Sequence, residues 1–222
     1  GLDANHAALT EPLAVGEHAV AMAEPEADHV HMVFGCGPVG LAVIASLKAR
    51  GLGPIVAVDF SAARRAAAEI MGADRIIDPA ESSPHSAWAD FQVPGSRAEA
   101  MMAAAQGRSV KRPLVYECVG VPGVIQALAQ AVPGGTRILV AGVCMETDRI
   151  EPFQFITKEL QLRFVLGYTQ PEFATSLRRL AEGETAYNRI ITDVVSLQDT
   201  PDAFVKLQTD KSQIKILVSP SA

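Results

Sequence analysis

The chain has 222 residues, 49% of them hydrophobic and 20% charged, with a net charge of −6 and a pI near 5.4. That is the balance of an ordinary globular α/β protein, long enough for one well-buried domain or one domain with part of another. There is no basic stripe, no apolar run of membrane-crossing length and no basic-then-apolar leader, so a nucleic-acid partner, a membrane span and a signal peptide are not expected.

In chain order, residues 1–22 hold Glu11-Pro12-Leu13-Ala14-Val15-Gly16-Glu17-His18-Ala19-Val20, a helical pattern with Pro12 in its first turn. Alternation then sets in. Strands are predicted at about 30–35, 54–59, 75–78, 113–118, 136–142 and 161–167, and helices at about 38–50, 61–71, 96–106, 121–131 and 171–182. This rhythm implies a mostly parallel, doubly wound sheet with helices on both faces and the C-terminal strand tips along one edge. Residues 79–95, with their prolines, adjacent serines and Trp88, read as a surface insertion. The tail adds strands at about 189–195 and 213–218 around a helix at about 197–208, with Ser196 and Asp199 as a capping box.

The most informative stretch is Val33-Phe34-Gly35-Cys36-Gly37-Pro38-Val39-Gly40. Gly35 suits a tight turn after a strand, Gly37 admits a pyrophosphate close to the backbone, and Gly40 lets a helix pack on the strand. The helix start offers free N–H groups to phosphate. Asp59 follows 19 residues past Gly40, at the tip of the second strand, where a carboxylate accepts ribose hydroxyls and repels a 2′-phosphate. NAD is therefore expected over NADP. A tight βα turn in another α/β fold, such as a nucleoside-binding methyltransferase, is the alternative.

The three cysteines, Cys36, Cys118 and Cys144, form no C-x-x-C pair and read as small residues at strand ends. Unpaired thiols suit a reducing cytoplasm. His29 and His31 read as a polar pair at the start of a strand, and His18 shares a helical face with Glu11.

Four motifs occur in order: Glu11-Pro12-Leu13-Ala14-Val15-Gly16, the loop Gly35–Gly40, Val115-Tyr116-Glu117-Cys118-Val119-Gly120, and Val140-Ala141-Gly142-Val143. Together they resemble the medium-chain dehydrogenase/reductases, and within them the zinc-dependent alcohol, polyol and threonine dehydrogenases, from about residue 8 to 218. The resemblance implies a six-stranded Rossmann domain over 23–183. Residues 1–22 and 184–222 would then be a partial remnant of a GroES-like catalytic domain. It also implies an alcohol or carbonyl substrate, NAD as cofactor, and a homodimer or homotetramer built through strand 161–167. The implied cofactor contacts are Gly35, Gly37, Pro38, Val39, Gly40, Asp59, Phe60, Arg64, Cys118, Val119, Gly120, Ala141, Gly142, Val143 and Leu166. Glu11 matches a position that supplies or supports a zinc ligand.

The chain departs from that family in one large respect. The first zinc cysteine, the His-Glu pair and the four-cysteine lobe are not in these 222 residues. No catalytic residue is therefore expected here, zinc is expected in a full-length parent only, and the chain alone is expected to turn over little or no alcohol. Two other readings stay open: a zinc-free quinone-type reductase, and an NAD(H)-sensing module without turnover.

Overall fold

In the computed structural model residues 1–220 are described; Ser221 and Ala222, at the end of the expected 184–222 segment, lie outside the described residues. Six strands, β1 (His29–Phe34), β2 (Ile55–Val58), β3 (Arg75–Ile77), β4 (Arg112–Glu117), β5 (Arg137–Val140) and β6 (Gln161–Phe164), form one parallel sheet in the order β3-β2-β1-β4-β5-β6. This is the doubly wound Rossmann order, with its reversal between β1 and β4. The helices are α1 (Ala4–Ala7), α2 (Thr10–Ala23), α3 (Pro38–Ala49), α4 (Ala62–Met71), α5 (Ala87–Asp90), α6 (Arg97–Ala105), α7 (Val124–Ala131), α8 (Pro152–Lys158), α9 (Gln170–Glu182) and α10 (Thr200–Thr209). Two further strands, β7 (Ile191–Val195) and β8 (Lys215–Val218), pair in parallel as a separate small sheet.

The strands are short apolar runs buried on both faces, as parallel sheets require. One face carries Val33, Leu114, Tyr116 and Leu139 against α2, α3 and α4. The other carries Val30, Met32, Val56, Val115 and Ile138 against α7 and the 87–93 segment. Helix α2 lies hard against α3, and a Cβ on Gly16 would stand 2.5 Å from the Ala42 Cβ. Local signals set the helix limits. Ser61 caps α4, Thr169 and Glu172 make a reciprocal capping box on α9, and left-handed Gly72 and Gly183 end those two helices.

Several expectations need correction. Residues 79–95 are not a surface insertion: Ala87, Trp88 and Val93 are buried in the core on the α7 face. The Ser196–Asp199 pair makes only half of the expected capping box: the Asp199 amide donates to the Ser196 hydroxyl at 3.3 Å, without the return bond. Helix α10 starts at Thr200, and the Ser196 hydroxyl donates to the Asp199 carboxylate at 2.7 Å, so that carboxylate faces the hydroxyl instead of the Ser196 amide. Strands β5 and β6 stop at Val140 and Phe164, short of the expected 142 and 167. Helices α1 and α8 were not anticipated; both are short and neither holds a fully buried residue.

The histidine pair opens β1 as expected, and it lies in the core. His29 and His31 are both buried within β1. The His31 ring lies 6.1 Å from that of Tyr116, and neither of its nitrogens has a protein partner. Burial pushes its pKa down to about 4 from 6.5, and His29 is lowered for the same reason. A histidine depressed in the folded state takes up its proton only on unfolding. Its contribution to stability is therefore full above 6.5 and is lost as pH falls from 6.5 toward 4. The loss attributable to His31 is about 3 kcal/mol. Thermal unfolding of His31→Leu should show that part of the acid sensitivity gone, with stability at pH 7.5 held or raised. An unchanged pH profile would contradict this.

Candidate dinucleotide site

All the strand tips open on one edge of the sheet, and the expected residues meet there. Gly35 follows β1 in a left-handed conformation (φ +87°), and its amide donates to the Val58 carbonyl at 2.9 Å. A Cβ on Gly35 would strike the Val119 side chain at 2.9 Å, and one on Gly40 would sit 1.8 Å from the Gly35 carbonyl oxygen. A Cβ on Gly37 meets nothing within 4 Å. The loop is thus closed against protein at Gly35 and Gly40 and open at Gly37. No side chain caps α3, and Pro38 occupies its first turn. The amides of Gly37, Val39 and Gly40 have no acceptor among the described residues. Such a helix start attracts anions.

Asp59 sits beside this loop, just past β2. One carboxylate oxygen accepts from the Cys36 amide at 2.7 Å and the other from the Ser61 amide at 2.7 Å. The acid therefore fixes both the glycine loop and the start of α4, and each oxygen keeps lone-pair capacity for a further donor. Arg65 donates to the Asp59 and Phe60 carbonyls and pairs with Asp78 at 2.7 Å. Arg64 is half-buried on the preceding position of α4, and its Nε has no partner. Phe60 is 73% exposed at the rim.

Across the reversal point the Glu117 carboxylate is buried, and one oxygen accepts from the Val119 and Gly120 amides at 2.7 and 2.8 Å. Gly120 (φ +70°) packs so closely on the next tip that a Cβ would stand 2.6 Å from the Val143 nitrogen. The Ala141 and Gly142 amides donate to the Glu117 carbonyl at 2.9 Å. Val165 donates to the Val140 carbonyl at 3.0 Å and leads to Leu166, which is 84% exposed. Residues 35–40, 59–61, 117–120, 141–143 and 165–166 therefore form one continuous edge. Glu117 was missed as a supporting group; its buried position at a strand end before a glycine turn was the available signal.

The thiols of Cys36 and Cys118 are held in the protonated form. Burial pushes Cys36 well up, with the Asp59 carboxylate adding to the effect, and burial raises Cys118 likewise. Glu11 stands exposed in the first turn of α2, and His18, rather than sharing a site with it, contacts Glu172 at 3.0 Å. Among the described residues no group of three or more His, Cys, Asp or Glu side chains could hold a metal ion. No helix among them is long and apolar enough to cross a membrane. A cavity of about 1040 Å³ is lined by His85, Trp88, Met102, Arg108 and Pro133 among others, and by none of the expected dinucleotide contacts. The candidate site is an open crevice along the sheet edge instead.

The zinc-binding dehydrogenase family matches residues 38–182. The chain is 32% identical over 215 residues to (R,R)-butanediol dehydrogenase of Bacillus subtilis strain 168, covering 96% of this chain and 57% of that protein. The crystal structure of 2R,3R-butanediol dehydrogenase from Bacillus subtilis superposes with a TM-score of 0.75 at 31% identity, covering 99% of this chain and 58% of that one. A Sinorhizobium meliloti 1021 protein described as a zinc-binding dehydrogenase bound to NADP gives 0.77 at 25% identity, covering 99% of this chain and 60% of that one. The chain thus spans a little over half the length of these relatives. With its matched region running from the glycine loop to the end of α9, the chain belongs to the zinc-binding dehydrogenase family.

Proposed function

We propose that this chain binds NAD(H) along the sheet edge and forms the coenzyme-binding part of an oxidoreductase acting on an alcohol. The observation that carries the reading is the Asp59 carboxylate. It is fixed by the Cys36 and Ser61 amides at 2.7 Å and set beside a glycine loop with free amides and open space at Gly37. The diphosphate would lie over Gly35, Gly37, Pro38, Val39 and Gly40. Asp59 would take the adenosine ribose hydroxyls, with Phe60 and Arg64 beside them. Cys118, Val119 and Gly120, then Ala141, Gly142, Val143 and Leu166, would line the path to the nicotinamide. Held by these residues, NAD⁺ would supply the acceptor for a hydride from the alcohol carbon, the hydroxyl proton passing to solvent, so that alcohol and NAD⁺ become a carbonyl compound, NADH and a proton. The chain's own residues bind and orient that cofactor.

A negative carboxylate at the ribose favours NAD(H) over its 2′-phosphorylated form. Replacing Asp59 removes an anchor of the loop and the ribose acceptor together. Asp59→Ser should weaken NADH binding by about tenfold to a hundredfold. It should also narrow the gap between NADH and NADPH. Fluorescence titration of both dinucleotides reads this. Equal NADH affinity in the two proteins would remove the ribose assignment.

Zinc does not fit the described residues, since Glu11 has no companion donors, and no step is routed through it. We infer a zinc role for Glu11 only alongside donors from the remainder of a longer protein. The domain limits proposed are 23–183 for the coenzyme unit, flanked by 1–22 and 184–222, in a cytoplasmic setting. Strand β6 is a sheet edge with Phe164 exposed, and α8, which precedes it in the chain, exposes Phe153 and Ile156. An exposed apolar edge of this kind supports pairing of copies through 161–167, and sedimentation showing only monomer would contradict it.

A further inference from the structure

The C-terminal segment reaches the starts of two helices at the crevice, α3 and α4. Tyr187 lies in a single 3₁₀ turn, Tyr187–Ile190, directly before β7. Its side chain is fully buried in the α3 core, and its hydroxyl donates to the Pro38 carbonyl at 2.8 Å. At the adenosine end Ser61, the cap of α4, donates its hydroxyl to the Lys211 carbonyl at 2.8 Å. The two bonds bridge 149 and 150 residues of chain.

The Pro38 carbonyl and the Val39 N–H belong to one rigid peptide plane. Fixing the oxygen fixes the direction of the hydrogen, and that hydrogen is one of the free amides at the start of α3. A first-turn carbonyl already accepts the amide four residues on. The phenol therefore takes the second lone pair and is not needed merely to satisfy the oxygen. Phenylalanine would fill the same apolar space, so the hydroxyl has a separate role. Burial, with the Glu11 carboxylate adding, pushes the phenol pKa well up, which keeps it a donor.

We propose that Tyr187 is a positioning residue for the diphosphate site: it holds the Pro38–Val39 peptide plane so that the Val39 amide faces the bound phosphate. The inference rests on the dinucleotide reading above. The test compares the wild-type chain with Tyr187→Phe. Without ligand, amide exchange at Leu41, whose bond to the Gly37 carbonyl closes the first turn, should quicken about tenfold while that of α2 and β7 holds. NADH and ADP-ribose, which share the diphosphate, should both weaken about fivefold to tenfold. Unchanged affinity, unchanged exchange at Leu41, or a rise spread equally over α2 and β7 overturns the inference. A wild-type chain that binds neither ligand overturns the dinucleotide reading and this inference with it. Wild-type binding with an unaffected variant overturns the inference alone.

Discussion

Gly40→Ala should abolish measurable NADH binding, a loss of at least about a hundredfold. The added Cβ would lie 1.8 Å from the Gly35 carbonyl oxygen, a backbone atom. That peptide has no slack. The Gly35 amide is tied to Val58 at 2.9 Å, and the next amide is tied to Asp59 at 2.7 Å. Relief therefore requires α3 to lift from β1 or the glycine loop to leave Asp59, and either change removes the anion cradle. Overpacking of this kind costs about 3 kcal/mol, which for a chain of this size lowers Tm by about 6–12 °C. Gly37→Ala is the matched control. Its Cβ meets nothing and its φ is −70°, so folding should be unaffected and any loss of affinity reports on the ligand space alone. Wild-type NADH affinity in Gly40→Ala, measured by titration alongside thermal unfolding, would refute the argument.

The largest stability effect away from the crevice is expected at Glu17. This carboxylate is 1% exposed on α2 and binds two guanidinium groups. Arg50, at the end of α3, donates to it at 2.8 Å, and Arg179 of α9 pairs with its other oxygen. Burial lowers the pKa of both arginines, as it must for cations removed from water. Glu17→Ala leaves two cations facing a void. Removing one member of a buried ion cluster costs about 3–5 kcal/mol, and the partial exposure of Arg50 places this case at the lower end. Replacing the cluster together, as Glu17→Leu with Arg50→Met and Arg179→Met, should recover most of the loss, because the charges are costly chiefly when unpaired. Denaturant unfolding of the single and triple variants checks both statements. A triple variant less stable than Glu17→Ala would contradict them.

Much of the sheet was legible in the sequence because its strands are apolar runs punctuated by glycine and proline, and that signal is local. Strand ends were less so. Val140 ends β5, but Ala141 and Gly142 continue its apolar run while their amides turn to the Glu117 carbonyl. Trp88 shows the opposite failure. It lies in a segment rich in prolines and serines, yet it is buried in one cluster with Val30 and Met32, and nothing local encodes that. Helix α8 has no buried residue, so only Pro152 at its start marked it.

The candidate crevice was legible for a related reason. Gly35, Gly37, Gly40 and Asp59 fall within one βαβ unit, where spacing carries the geometry. That Asp59 also holds the Cys36 amide is not written in the spacing. Nor are the Tyr187–Pro38 and Ser61–Lys211 bonds, which join segments far apart in sequence through tertiary packing. His31 lay in the predicted strand, but its burial comes with neighbours such as Tyr116 of β4, which no window around residue 31 contains.

A crystal structure of the chain grown with NADH addresses the central claim most directly. The expected result places the diphosphate over Gly35–Gly40, within hydrogen-bond reach of the Val39 and Gly40 amides, with the adenosine ribose hydroxyls on the Asp59 carboxylate. A dinucleotide bound elsewhere, such as in the cavity beside Trp88, or a ribose turned away from Asp59, would contradict it.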